Sequence, residues 1–426
     1  MTSDRIEGLP SEIWLDICRY LDAKSILSIS ATCKTLNQHF IQIEIWRRKC
    51  KMVGINFPNK SRIDLPSNYK KLFSAYLTER CQLKSGIYSI AASTCDDRFG
   101  LSSLVTFNHF VITGSWNGHL AVNELASETQ KYNAFTCNPN WFDSYEREIV
   151  QPADSESYQK ILKAPKLLKQ YVNCNILCLV KDDDWIFVGL NSFPFLEKCQ
   201  YKRGGLRFGP VCSGYTLTAA ICMMDILNHQ ILACNSQNRL LLIDYRSNAI
   251  RELVIDTDLE IKHIGWLKHQ SFVVMYSNGT WEVWHLQNQD IECVFKCGIP
   301  SIGLLVGCIA PIYHQRWIIV GGMVNDTVQC WTLNCINDKY NLTQSHMSPV
   351  LGKIRCLQVK SNLILVGCWN SNLMVYDLQT QELARILQSR DKSPILAIST
   401  VHNSLICGHN NGSLSKWEFE NTKLHL

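Results

Sequence analysis

The sequence predicts a mainly β fold, built from a repeated four-stranded unit and preceded by a small all-α segment. Three observations predict it. A phrase of strand, tight turn and strand recurs along residues 85–426, its copies are spaced at a nearly constant interval, and residues 1–50 carry apolar positions at helical spacing instead. The clearest copy is LILVGCWNSNLMVYDL at residues 363–378. Leu363 to Val366 is an apolar run, Gly367 to Asn372 holds the small polar residues a turn needs, and Leu373, Val375 and Leu378 carry the second run. Two strands alone leave backbone groups and an apolar face unpaired, so the copies must lie side by side.

Aligned on the first glycine position, the copies are anchored at Gly114, Gly189, Cys234, Met275, Gly322, Gly367 and Gly408. The differences between those positions are 75, 45, 41, 47, 45 and 41 residues. Apart from the first, these match a four-stranded propeller blade, so seven anchors predict seven blades. The copy around Gly189, WIFVGL, lacks the tight turn. Most copies end in an aromatic or apolar residue followed by a polar one, as in Tyr376-Asp377, Trp331-Thr332, Trp417-Glu418 and Trp284-His285. In these features the chain resembles the WD-repeat family, although no copy has a literal Trp-Asp pair and the usual Gly-His opening is absent. The resemblance implies a seven-bladed WD-repeat-like β-propeller over residues 85–426, with an insertion at about 126–172.

Composition bounds the function. The chain has 426 residues, 46% of them hydrophobic and 19% charged, which is ordinary for a globular protein with a large core. A net charge of +5 over this length argues against a dedicated nucleic-acid or membrane surface. The 20 cysteines are scattered, several of them inside apolar strands, and no Cys-x-x-Cys occurs, so neither zinc nor another metal is expected. Asp4, Arg5 and Glu7 stand where a signal peptide needs an apolar stretch, and the longest apolar runs are too short to cross a bilayer. A cytoplasmic or nuclear location with reduced thiols is expected.

At the N-terminus, Leu9, Ile13, Ile17 and Leu21 recur every fourth residue behind Pro10 and Glu12, which describes a short amphipathic helix. Asp22 is placed to cap a second helix carrying Ile26, Leu27 and Ile29, and Leu36, Phe40 and Ile41 mark a third. Three short helices bury little surface by themselves, so their apolar side needs a partner. Leu9-Pro10, Glu12-Ile13, Ile17, Leu21, Cys33-Lys34 and Trp46 stand at the spacing of an F-box, which residues 1–50 closely resemble, with Leu36 where that family usually has Trp. The resemblance implies binding to the Skp adaptor of cullin-RING ubiquitin ligases, with Leu9, Pro10, Ile13, Ile17, Leu21 and Cys33 at or behind the contact.

Residues 51–84 read as a helical linker: 52–66 is polar and broken by prolines, then Tyr69, Leu72, Phe73, Tyr76 and Leu77 take helical spacing. In the insertion, Lys160, Lys163, Lys166 and Lys169 form a periodic basic run, read first as a solvated loop face. After Phe419 too few residues remain for the outer strand of the last unit. Residues 86–92 are therefore expected to supply that strand and clasp the ring, since an open blade would expose an unpaired edge.

No phosphate loop, nucleophile elbow, His-Glu-x-x-His or kinase signature occurs, so neither catalytic residues nor a cofactor are expected. Two of the turns place tryptophan at the same offset, Trp116 after Gly114 and Trp369 after Gly367, each followed by Asn. Tryptophan in a solvent-facing turn suits a binding hot spot. The expected protein-substrate surface is thus Trp116 and Trp369, with Asn117, Asn370, His409 and Asn410 as its polar surround and Arg239 as a cation for an acidic motif. The F-box resemblance makes this a substrate receptor of a cullin-RING ligase; the alternative is a scaffold that binds the adaptor but delivers nothing for ubiquitination.

Overall fold

The computed structural model describes residues 13, 17–18, 21, 23–30, 43–52, 66–85, 88–93, 100–107, 110–124, 166–170, 175–182, 185–191, 196–202, 205–210, 219–255, 257–287, 290–298, 302–313, 316–336, 339–389, 392–401 and 404–419. It shows a small helical region followed by a β-propeller. In the helical region, Ile13, Ile17 and Cys18 are helical, and three further helices follow: α1 (Ala23–Ser30), α2 (Ile43–Met52) and α3 (Pro66–Ser85). Pro66 opens α3 at a position whose N–H has no helical partner to lose. The predicted spacing of Tyr69, Phe73 and Tyr76 puts all three on one buried face. There they meet Cys18, Ile26, Ile45, Trp46 and Cys50 in one core, so F-box-like segment and linker fold together. Leu9, Pro10, Cys33, Leu36, Phe40 and Ile41 lie outside the described residues.

Among the described residues the strands form seven four-stranded antiparallel sheets. Blades 1 to 6 take their strands from residues 101–124 with 166–170, then 176–210, 221–253, 261–298, 304–349 and 354–388. Blade 7 joins residues 395–419 to a strand from the other end of the chain, β1 (Tyr88–Ser93). The innermost strand of each blade packs on that of the next, and blade 7 packs on blade 1, so the ring closes. Between blades the core is apolar. One interface packs Trp281 edge-to-face on Trp331, with ring centroids 5.9 Å apart, beside Val283, Leu304 and Leu333. Burial pushes the thiols of Cys234, Cys330 and Cys368 up to about 12, as expected of cysteines that pack as small hydrophobes.

The anchor glycines explain the repeated phrase. A Cβ on Gly189 would stand 2.5 Å from Cys178 Sγ and 3.0 Å from the Ile221 carbonyl of the next blade. The side chain is absent because the next blade's inner strand occupies its place. That constraint keeps the second copy recognisable although its hairpin is longer: Trp185–Leu190 pairs with Leu196–Lys202 to make a complete blade.

Two expectations about chain ends and insertions are refined. The closing strand is 88–93, paired antiparallel with 414–419 in a register that sets Ile90 opposite Trp417. The insertion ends earlier than 172: Lys166–Gln170 is the outer strand of blade 1, paired with residues 119–122 across a bulge at Leu120/Ala121. Lys166 and Lys169 thus lie on a blade edge and not on an irregular loop, while Lys160 and Lys163 lie outside the described residues. The need to complete a fourth strand overrides the loop-like composition upstream.

Candidate protein-binding face

The two ends of the ring differ in what covers them. At one end α3 lies against blade 6, and its Leu83 joins Leu363, Leu405, Trp417 and Phe419 in the core of blades 6 and 7. Arg80 reaches the turn that follows the third strand of blade 6. It donates to Asp377 Oδ1 and Oδ2 at 2.7 and 2.9 Å and to Gln379 Oε1 at 2.9 Å. Lys84 is the second cation on Asp377, whose side chain is 1% exposed, and Ser361 Oγ donates to Glu79. Burial alone would raise the Asp377 carboxyl. The hydrogen bond from Lys84, the Gln379 amide and the charge of Arg80 outweigh it and hold the group below the usual carboxylate range. A second contact, of α2 with the long inner strand of blade 5 (Leu304–Tyr313), makes the attachment two-point.

The other end carries the tight turns between the second and third strands, one six-residue strand, about 20 Å, away from α3. In six blades the loop is a three-residue hairpin turn whose last residue is left-handed: Gly118, Asn238, Gly279, Asp326, Ser371 and Gly412. Each turn is tied to the loop entering its own blade by the amide two residues past the anchor. Trp116 N donates to Gly100 O, Trp369 N to Lys353 O and Asn410 N to Pro394 O, at 2.8–3.0 Å. That same position holds Trp116, Asn191, Ser236, Ser277, Val324, Trp369 and Asn410, so one residue from every blade rings this face.

Of the residues expected there, Trp116 and Trp369 are exposed at 49% and 47%, and neither indole folds back into the ring. The asparagines serve the turns. Asn117 Oδ1 accepts the His119 amide, and Asn370 bridges two loops by donating to Leu351 O at 2.9 Å and accepting the Asn372 amide. Asn410 is exposed. Arg239 is exposed but already paired with Glu252 at 2.9 Å, so it is not an unpaired cation.

His409 is the clear correction. It is 0% exposed and belongs to the interior. Its Nδ1 faces the Ser393 carbonyl at 2.9 Å, which requires a proton there, so Nε2 accepts from Ser415 Oγ at 2.8 Å. Its position, one residue before the exposed one, turns the side chain inward. Sequence reading also passed over Val324, Leu351 and Arg355. Val324 is 58% exposed and stands at the same offset from its anchor as the two tryptophans, a signal available in the alignment. Leu351, 62% exposed, and Arg355, whose guanidinium lies 4.2 Å from the Trp369 ring centroid, come from a neighbouring loop and strand and carry no local signature.

At the helical end, Ile13 is 45% exposed, whereas Ile17 and Leu21 are half-buried against the helical core. Among the described residues no three His, Cys, Asp or Glu side chains group to hold a metal, and no helix is long and apolar enough to cross a membrane. A cleft of about 170 Å³ between blades 5 and 6 is lined by Arg316, Thr332, Tyr376 and Gln379. It is smaller than typical small-molecule sites.

Comparison with known proteins agrees with this division. Residues 6–52 match the F-box-like family model. No curated protein matches the sequence. Among solved structures, the WD40 β-propeller domain of Doa1 is similar in fold, with a TM-score of 0.55 at 8% identity, covering 79% of this chain and 98% of that one. A computationally designed protein, Ika8, is similar with a TM-score of 0.50 at 13% identity, covering 77% and 99%. At such identities the likeness concerns the fold.

Proposed function

We propose that this chain, an F-box-like segment joined to a β-propeller, is the substrate-recognition subunit of an SCF-type cullin-RING ubiquitin ligase. Its F-box would bind the Skp adaptor and its propeller a protein substrate. The observation that carries the reading is the polarity of the molecule. α3, which shares a core with the F-box-like segment, is fixed to one end of the ring by Arg80, Lys84 and Asp377, and the exposed Trp116, Val324 and Trp369 ring the other. A rigid spacer between two binding ends does the work of a receptor, which is to hold a substrate at raised effective concentration beside a charged enzyme. No residue of the chain performs bond chemistry in this scheme, and it operates in the cytoplasm or nucleus.

The test is co-purification. Wild-type chain should recover both adaptor and cullin, and removal of residues 1–50, or Leu9→Ala with Pro10→Ala, should lose both. A chain that recovers adaptor unchanged after the deletion would disprove the F-box assignment. Recovery of adaptor without cullin would favour the scaffold role.

A further inference from the structure

On the face away from α3, loop 350–353 is fastened to the turns of two blades. Val350 N donates to Asp326 O at 2.9 Å in blade 5, Lys353 O accepts Trp369 N at 2.8 Å, and Leu351 O accepts Asn370 Nδ2 at 2.9 Å in blade 6. This lattice joins the loops that hold three large apolar side chains out to solvent, Val324, Leu351 and Trp369, at 58%, 62% and 47% exposure. Such a cluster is costly to leave in water, and its backbone is fixed before any partner arrives. The charge beside it is positive. Arg355 lies over the Trp369 ring and Lys353 is exposed, and among the described residues neither forms an ion pair. Asp326 in the adjoining turn is half-buried. Across the ring Glu252 is engaged by Arg239 and Glu260 by Lys262, while Asp258 is exposed in the loop entering blade 4, two blades away from loop 350–353.

We propose that this blade 5–6 patch binds an extended peptide segment of a partner protein that places an Asp or Glu beside a bulky apolar side chain. The apolar residue would cover Leu351 and Val324, and the carboxylate would take the edge of the Arg355 guanidinium. Stacking on Trp369 occupies the face of that guanidinium and leaves its N–H edge for bidentate bonds to a carboxylate. Phosphate recognition usually gathers several arginines, and the patch has one, so the chemistry favours a carboxylate. The inference deepens the receptor reading, on which it rests for the partner being a substrate.

The test uses the full chain bound to adaptor and a displayed library of random peptides, followed by synthetic peptides of the selected sequences. Selected sequences should carry Asp or Glu close to Trp, Phe or Leu, and binding should weaken with salt. Arg355→Glu and Leu351→Asp, both at exposed positions, should each weaken binding about tenfold or more, the scale of an interface hot spot, with adaptor capture and melting unchanged. Selection of basic or uncharged sequences, binding only after phosphorylation, indifference to Arg355→Glu, or a dimer of the chain that Leu351→Asp dissolves would each overturn the proposal. If adaptor capture fails while the acidic peptides bind, the ligase reading falls and the patch stands. If adaptor is captured and no acidic peptide binds, the reverse holds.

Discussion

Replacing Arg80 by methionine is expected to release α3 from the propeller while leaving the ring folded. Arg80 makes three hydrogen bonds of 2.7–2.9 Å to Asp377 and Gln379, and its side chain and that of Asp377 are 10% and 1% exposed. Methionine keeps most of the apolar stem but leaves the carboxylate buried beside one cation. Removing one member of a buried pair costs about 3–5 kcal/mol. Lys84 still bonds to Asp377, so the loss should fall near the lower bound, about 3 kcal/mol. Because the pair spans the α3–blade 6 contact, the cost appears as local opening: about 1.4 kcal/mol is a factor of ten, so protection of amides 69–84 against hydrogen exchange should drop about a hundredfold. Blades 1 to 4 should exchange as before. Unchanged protection in α3, or an equal loss in every blade, refutes the reasoning. The pH dependence follows from the sign of the Asp377 shift. Its folded value is depressed, so its stabilising contribution is complete above the unfolded carboxylate value of about 4 and is lost as pH falls through the depressed one. Opening of α3 in the wild type should therefore increase in acid below about pH 4, and the increment should vanish in Asp377→Asn.

Three further outcomes are expected. Ala91→Pro, opposite Lys416 in the strand that pairs with 414–419, removes a ladder hydrogen bond at the seam of the ring and should cost about 1–3 kcal/mol for each buried group left unpaired; an unchanged melting temperature and monomeric state would show that the seam does not hold the ring. Gly189→Ala places a methyl 2.5 Å from Cys178 Sγ, an overpacking worth about 1–3 kcal/mol by denaturant titration, and Cys178→Ala in the same chain should recover part of it. His409→Ala takes the imidazole donor from the Ser393 carbonyl and leaves the Ser415 hydroxyl with Ser389 Oγ alone, and should cost about 1–3 kcal/mol, whereas Asn410→Ala, one residue on and exposed, should stay within about 0.5 kcal/mol; equal effects would contradict the inward orientation of the imidazole.

The repeat was legible in the sequence because each blade must solve the same packing problem. In five of the seven blades the anchor is a glycine because the next blade's inner strand leaves no room for a side chain, and in six blades the backbone turns left-handed four residues after the anchor, which favours Gly, Asn, Asp and Ser. Those demands are local and write themselves into residues such as Gly189, Gly118 and Gly412. The helical spacing of Tyr69, Phe73 and Tyr76 was legible for the same reason, and so was the exposed offset of Trp116 and Trp369. What the sequence left open depends on residues far apart in the chain. His409 and Asn410 are both polar turn residues, and only the alternation of the strand against blade 7 puts one in the core and the other in water. Arg80 and Asp377 are 297 residues apart, and no spacing rule links them. The carboxylate's partner, the covering of one end of the ring by α3 and the gathering of Val324, Leu351, Trp369 and Arg355 at the other are set by ring closure. Closure alone decides which loops become neighbours.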